Sequence, residues 1–280
     1  MTTPAYAVLG HPVAHSRSPF IHARFAQQTG LTLDYGRLLS PLDDFAGTLR
    51  AFAAQGGLGC NVTLPFKFEA LALASDCSAR ARLAGAANTL KRDGSTWWAD
   101  NTDGVGLVRD IEQGAGRPLT GQRLLLIGAG GAAAGVLGPL LQAAPACVVL
   151  VNRTATKAQA LVERHRDLAL EVGALLKSAS LGDPGSGFDI VLNASASSLQ
   201  GQGAPVPSSV LAPGALALDL MYGPAAEAFL AWARQAGASA RDGLGMLVEQ
   251  AAESFFVWHG LRPQTAPVLA ALRDQIEAER

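Results

Sequence analysis

Apolar residues in this chain fall into two alternating rhythms. Short, nearly unbroken apolar runs alternate with longer stretches in which apolar positions recur every three or four residues. The first pattern marks strands covered on both faces and the second marks amphipathic helices, so their alternation predicts an α/β chain with parallel sheets and helical crossovers. In the first third, strands are expected at 5–9, 35–39 and 60–64, the last stopped by Pro65, and helices at 19–28 and 42–54. Ser18 before Pro19 reads as a helix cap with proline in the first turn. Segments 89–91 and 96–99 read as a hairpin around Asp93-Gly94. From Asp103 the alternation becomes regular, with strands at 123–127, 147–151, 189–193 and 215–220 and helices at 131–142, 156–166, 225–236, 244–259 and 266–279. The break between the two halves falls near Asn101 to Asp103.

Segment 124–151 carries no charged side chain and is long enough to raise the question of a membrane span, which takes about 20 residues. Five glycines and two prolines divide it into strand, loop, helix and strand, which predicts buried soluble core instead. The 280 residues hold 22 basic and 23 acidic side chains, so no basic footprint for nucleic acid is expected. Cys60, Cys77 and Cys147 are odd in number, widely spaced and form no CxxC, which favours a reducing, cytoplasmic setting over a disulfide framework. The first residues lack the basic start and apolar run of a secretory leader. His11 and His15 lie four apart on a proline-containing loop, and no metal site is expected there.

The strongest local signal follows the strand at 123–127. Gly128-Ala129-Gly130-Gly131-Ala132-Ala133 fits G-x-G-x-x-[GA] in its strand–turn–helix setting. Gly128 permits the tight turn, Gly130 admits a pyrophosphate to the backbone, and the small residue at Ala133 brings helix close to strand. A helix start offers free N–H groups to the phosphates. The next strand ends in Asn152-Arg153-Thr154, then Lys157, without the acid that accepts ribose hydroxyls in NAD sites. Arg153 and Lys157, read as one turn apart on the following helix, suit a 2′-phosphate, so NADP is the expected cofactor.

In the first third, alternation sends Asn61 and Thr63 to one strand face, with Lys67 just beyond Pro65-Phe66. An edge strand with a polar outer face accounts for the same pattern. Ser16 and Ser18 stand at a helix mouth that suits a carboxylate, although Ser18 also reads as an ordinary cap. Asp103, in Asp100-Asn101-Thr102-Asp103-Gly104, begins a helix and reads equally as its cap.

Taken together, these pieces resemble one family, the shikimate dehydrogenases. Gly10 to Pro19, Asn61 to Lys67, Gly85 to Thr89 and Asp100 to Gly104 look like its substrate-domain motifs. The glycine loop, Asn152-Arg153-Thr154, Asp219 to Tyr222 and Gly243 to Ala252 continue the match in order along essentially the whole chain. The resemblance implies two α/β domains: residues 1–101 binding substrate, completed by returning helices at 244–280, and a Rossmann-type NADP-binding domain at 102–243. It implies reversible NADPH-dependent reduction of 3-dehydroshikimate to shikimate in chorismate and aromatic amino-acid biosynthesis. Lys67 and Asp103 would be the catalytic pair. Ser16, Ser18, Thr63, Asn88, Asp103, Tyr222 and Gln250 would contact the substrate, the serines at its carboxylate. Gly128, Ala129, Gly130, Gly131, Ala132, Asn152, Arg153, Thr154, Lys157, Leu220 and Gly243 would line the cofactor site. The implied partners are small molecules only, with no nucleic acid or membrane, in a monomer or homodimer. Three departures stand out: Ala133-Ala134 replaces a frequent Ser-Arg, Asn193-Ala194-Ser195-Ala196 a frequent Asn-Ala-Thr-Ser, and Lys157 a common arginine.

Overall fold

The computed structural model describes residues 5–195 and 203–279. Two compact units emerge: one takes in the chain up to Gly106 and again from Val248 onward, and the other runs from Leu107 to Leu247. The chain leaves the first unit within α5 (Asp103–Arg109) and re-enters it within α10 (Leu244–His259).

The first unit is built on a six-stranded sheet. Strands β1 (Tyr6–Gly10), β2 (Tyr35–Leu39) and β3 (Gly59–Val62) run parallel with β1 in the middle. β5 (Thr89–Asp93) pairs antiparallel with β3 and with β6 (Thr96–Asp100), forming the expected hairpin, and the short β4 (Asp76–Cys77) joins β6. β3 therefore lies inside the sheet, between β1 and β5, and the edge-strand reading of Asn61 fails: Asn61 is buried. One core layer packs Leu9, Phe45, Phe52, Val62, Leu90 and Trp97, and each such fully buried side chain contributes about 1.5–3 kcal/mol.

Two helix starts differ from expectation. α1 (Ser18–Thr29) takes Ser18 as its first helical residue, with Arg17 at the cap position and no side-chain cap bond. Ser16 Oγ instead accepts from the Ser18 N–H at 3.3 Å, so the upstream serine does the local capping. α2 (Phe45–Ala54) begins three residues later than the apolar pattern predicts, because Asp44 accepts from the Gly47 N–H at 2.8 Å and sets the start.

The second unit carries six parallel strands in the order β12-β11-β10-β7-β8-β9. These are β7 (Arg123–Ile127), β8 (Cys147–Val151), β9 (Leu175–Ala179), β10 (Phe188–Asn193), β11 (Leu211–Asp219) and β12 (Ser239–Arg241). Counted within the unit, the order is 3-2-1-4-5-6, the doubly wound Rossmann arrangement, which reverses between β7 and β10. The uncharged stretch becomes β7, α6 (Gly131–Gln142) and β8, with α6 buried along most of its length. Among the described residues, no helix is long and apolar enough to cross a membrane.

The helix expected at 156–166 is two pieces, α7 (Ala155–Arg164) and α8 (Arg166–Glu171), parted at His165. There the imidazole Nδ1 lies 2.9 Å from the Leu161 carbonyl. Arg153 consequently sits in the turn before α7 rather than on the helix with Lys157. The short elements β4, β9, β12, α3 (Lys67–Ala72) and α4 (Ala79–Ala84) had no separate signal in the apolar pattern.

Candidate active site

In the first unit, three of the predicted substrate residues, Asn88, Asp103 and Gln250, meet Lys67 in one polar cluster. Lys67 opens α3 and Asp103 opens α5; Lys67 Nζ donates to Asp103 Oδ2 at 2.5 Å, with both side chains largely buried. Asn88, just ahead of β5, donates through Nδ2 to Asp103 Oδ1 at 2.8 Å. Its amide orientation follows from the backbone: the Thr102 N–H, which can only donate, points at Asn88 Oδ1 at 2.8 Å, so the NH₂ group must face the carboxylate. Each oxygen of Asp103 is thus held by a different donor.

Gln250 joins from α10, its Oε1 3.2 Å from Asn88 Nδ2. Gly106 makes that approach possible, since a Cβ there would lie 2.6 Å from the Gln250 backbone nitrogen. Three residues without a role in the sequence reading support this group. Thr89, Thr102 and Ser254 are buried and place their hydroxyls within 2.8 to 3.4 Å of one another, and Ser254 Oγ also accepts from Asn61 Nδ2 at 2.9 Å. Tyr35 completes the set by donating to Asn61 Oδ1 at 2.7 Å. Burial raises the Tyr35 phenol well above its ordinary pKa, and the Cys60 thiol adds to that rise.

Arg80 steadies the turn that leads to Asp103. Its guanidinium forks onto Asp100 at 2.7 and 2.6 Å and reaches Glu253 at 3.1 Å. Burial opposes its charge, but the two carboxylates outweigh burial and raise its pKa. These helpers are invisible to spacing because their partners are far apart in the chain.

Ser16 and Ser18 lie at the entrance to α1, with Ser16 Oγ donating to Ser18 Oγ at 3.2 Å. Thr63 follows β3, and its methyl group presses on Gly10, where a Cβ would come within 2.3 Å. Tyr222 belongs to the second unit, where it precedes the turn Gly223–Ala225. Among the described residues, no group of three or more His, Cys, Asp or Glu is arranged to hold a metal. His11 Nδ1 lies 2.8 Å from the Ser40 carbonyl.

In the second unit, the glycine loop leaves β7 beside the ends of β8 and β10. The Gly128 N–H donates to the Val151 carbonyl at 2.8 Å, and Gly128 adopts φ +114°, a conformation side chains avoid. A Cβ there would also meet the Ala194 backbone at 2.9 Å. Gly130 is different: a Cβ at that position would find nothing within 4 Å, so the loop backbone borders open space at the start of α6. Ala133 and Ala134 are buried in the core between α6 and the sheet. Asn152 Nδ2 donates to the Thr154 carbonyl at 2.9 Å and closes the turn after β8. Arg153 and Lys157 are exposed, and neither has an acidic partner among the described residues. Leu220 and Gly243 meet at the end of β11, where a Cβ on Gly243 would lie 2.2 Å from the Leu220 carbonyl oxygen. Asn193 bonds both Asp219 and Ser195; Ala196 lies outside the described residues.

Open space at a helix start, two cations without acidic partners among the described residues and no acid at the end of β8 fit a dinucleotide bearing an extra phosphate.

Comparison with known proteins covers both units. Residues 8–90 match the shikimate dehydrogenase substrate binding domain, 110–200 the shikimate / quinate 5-dehydrogenase domain, and 243–273 the shikimate 5′-dehydrogenase C-terminal domain. Shikimate dehydrogenase (NADP(+)) of Methylibium petroleiphilum is 63% identical over 278 residues, covering 97% of this chain and 95% of that protein. Among solved structures, an Ael1 enzyme from Pseudomonas putida is 45% identical with a TM-score of 0.86, covering 95% of this chain and 97% of that one. The shikimate 5-dehydrogenase of Thermus thermophilus, in complex with NADP(H) and shikimate, is 34% identical with a TM-score of 0.83, covering 96% and 98%.

Proposed function

The chain belongs to the shikimate dehydrogenase family, and from that premise we propose how its residues carry out the reversible NADPH-dependent reduction of 3-dehydroshikimate to shikimate. The observation that carries the residue assignment is the Lys67–Asp103 pair, a buried acid and base held at 2.5 Å beside two amides.

When bound, NADPH supplies a hydride to the carbonyl carbon, and in the reverse direction NADP+ accepts one. Negative charge then develops on the former carbonyl oxygen. Lys67 meets it with an ammonium that stabilises the charge and gives up a proton. Asp103 anchors that ammonium and accepts a hydrogen bond from a substrate hydroxyl. Asn88 and Gln250, already turned toward Asp103 or toward each other, read neighbouring hydroxyls, as does Thr63. Ser16 and Ser18 hold the carboxylate, and Tyr222 is a further substrate contact.

Gly128, Ala129, Gly130, Gly131 and Ala132 cradle the cofactor pyrophosphate with backbone N–H groups. Arg153 and Lys157 would take the 2′-phosphate, Asn152 and Thr154 shape that turn, and Leu220 and Gly243 would line the cofactor site. In domain terms, 1–101 and 244–280 serve the substrate and 102–243 serves NADP. A cytoplasmic location fits the three unpaired cysteines, and the protein is a monomer or homodimer, which sedimentation would decide.

The direct test is spectrophotometric: NADP+ reduction with shikimate, against quinate and NAD+ as controls. Turnover confined to shikimate with NADP+ supports the reading. Near-normal turnover by Lys67→Ala defeats the catalytic assignment.

A further inference from the structure

The carboxylate subsite assigned above consists of two hydroxyls, which offer hydrogen bonds but no charge. A substrate carboxylate arriving there brings one negative charge, so the charges around the Ser16–Ser18 turn decide how well it is held.

Most cations near this unit's polar cluster are already neutralised. Arg17, between the two serines, forks onto Glu279, with Nη1 at 2.9 Å and Nη2 at 2.5 Å from its oxygens. Lys67 is committed to Asp103, and Arg80 to Asp100 and Glu253. Arg262 also pairs with Glu253, at 2.6 Å.

Arg37, beside the Ser16 turn, is not so neutralised. From β2 it reaches the Ser16 turn and donates twice to the Ser16 carbonyl, through Nε at 3.0 Å and Nη2 at 2.6 Å. No carboxylate among the described residues pairs with it. A guanidinium has five N–H donors, so two are spent on Ser16 and three remain. The same carbonyl that Arg37 grips belongs to the residue whose Oγ bonds Ser18, so the arginine is tied to the subsite and its charge is uncancelled there.

We propose that Arg37 is the positioning residue and counter-charge of the carboxylate subsite: it holds the Ser16 turn by its carbonyl and draws the anionic substrate to the two serine hydroxyls. This rests on the reading that Ser16 and Ser18 bind the carboxylate. Because Arg37 is exposed, its attraction is partly screened by water and falls with ionic strength. A support role through the backbone alone carries no such salt dependence.

The test is steady-state kinetics with shikimate at increasing potassium chloride, for the parent enzyme, Arg37→Gln, Arg37→Lys and Ser16→Ala. For Arg37→Gln, the shikimate KM rises about fivefold at low salt, as loss of one partly screened charge pair predicts, while kcat and the NADP+ KM stay within about twofold. The parent's shikimate KM climbs with salt and that of Arg37→Gln does not. Arg37→Lys recovers the salt slope, since it restores the charge without the fork.

An unchanged KM in Arg37→Gln overturns the proposal. So does a raised KM that keeps the parent's salt slope, or a loss confined to kcat. Ser16→Ala separates the two levels. If it raises the shikimate KM while Arg37→Gln does not, only the Arg37 assignment falls; if it leaves the KM unchanged, the carboxylate reading falls and takes the Arg37 assignment with it.

Discussion

The two sites are built on opposite plans. In the first unit, Lys67, Asn88, Asp103 and Gln250 bond one another before any substrate arrives, and a layer of hydroxyls from Thr89, Thr102 and Ser254 backs them. In the second, the candidate groups lie open: backbone N–H groups at the start of α6, and Arg153 and Lys157, exposed and without acidic partners among the described residues. A buried ion pair left half-made is costly, so a catalytic lysine in a dry setting needs its carboxylate in place. An exposed cation costs little to leave waiting, because water solvates it until a phosphate displaces that water. The first plan makes the chemistry depend on distant parts of the fold. The second lets the cofactor site rest on one turn and the strand ends beside it.

Substitutions at the two sites should therefore fail differently. The largest effect is expected from Lys67→Ala, which removes the proton donor and strands Asp103; turnover should fall by about 10²–10⁴-fold, measured as the rate of NADP+ reduction at saturating shikimate. Arg153→Ala comes next. It should weaken NADP+ binding by about 10–100-fold while NAD+ binding changes little, with the melting temperature of the ligand-free protein unmoved. Equal losses for the two nucleotides, read by titration calorimetry, would contradict a 2′-phosphate clamp.

His22 sharpens the contrast from inside the first unit, because it is a buried polar group with no partner. Its ring stacks on Tyr35 at 4.3 Å and neither nitrogen finds a hydrogen bond. Burial lowers its pKa to about 3 from an ordinary 6.5, so the folded protein keeps it neutral. With the folded value depressed, its contribution to stability is full above about pH 6.5 and is lost as the pH falls toward 3. Between pH 7 and 5 that loss is about 2 kcal/mol. Urea unfolding at both pH values should show His22→Phe losing less stability than the parent by that margin; identical losses would reject it.

The smallest of these effects belongs to Ser254→Ala. It deletes the hydroxyl that α10 contributes behind Gln250, and should lower kcat/KM for shikimate about tenfold while sparing the NADP+ KM. Ser254→Thr, which keeps the oxygen, should recover most of the loss. Absence of that rescue would reduce the hydroxyl layer to packing.

In the second unit β7 and β8 were legible because each is a complete apolar run, and with α6 they have the residue limits the pattern predicts, whereas β9 and β12 carry no such run. The glycine loop was legible for the same reason, since Gly128, Gly130 and the helix start are neighbours in the chain. Misreadings arose where a local signal had a second outlet. Ser18 looked like a cap, but Ser16 took its N–H. Asn61 and Thr63 alternated as on an edge strand, but β3 acquired a neighbour on each side. Arg153 and Lys157 looked like one helical turn, but α7 starts after Arg153.

By itself, the sequence determined the alternating α/β order, the glycine loop in its strand–turn–helix setting and, through motifs matching a known family, the residue types of the candidate site. Those features are carried by chain neighbours, whose geometry the backbone sets within a few residues. Only the tertiary structure decided which oxygen of Asp103 faces Lys67 and which faces Asn88, that Ser254 and Thr102 back them, and that Arg37, beside the Ser16 turn, meets no carboxylate among the described residues. The reason is distance along the chain. Asn88 and Gln250 are 162 residues apart, and Arg17 and Glu279 are 262 apart. Contacts of that span depend on the packing of whole helices against a sheet, which no run of neighbouring residues encodes.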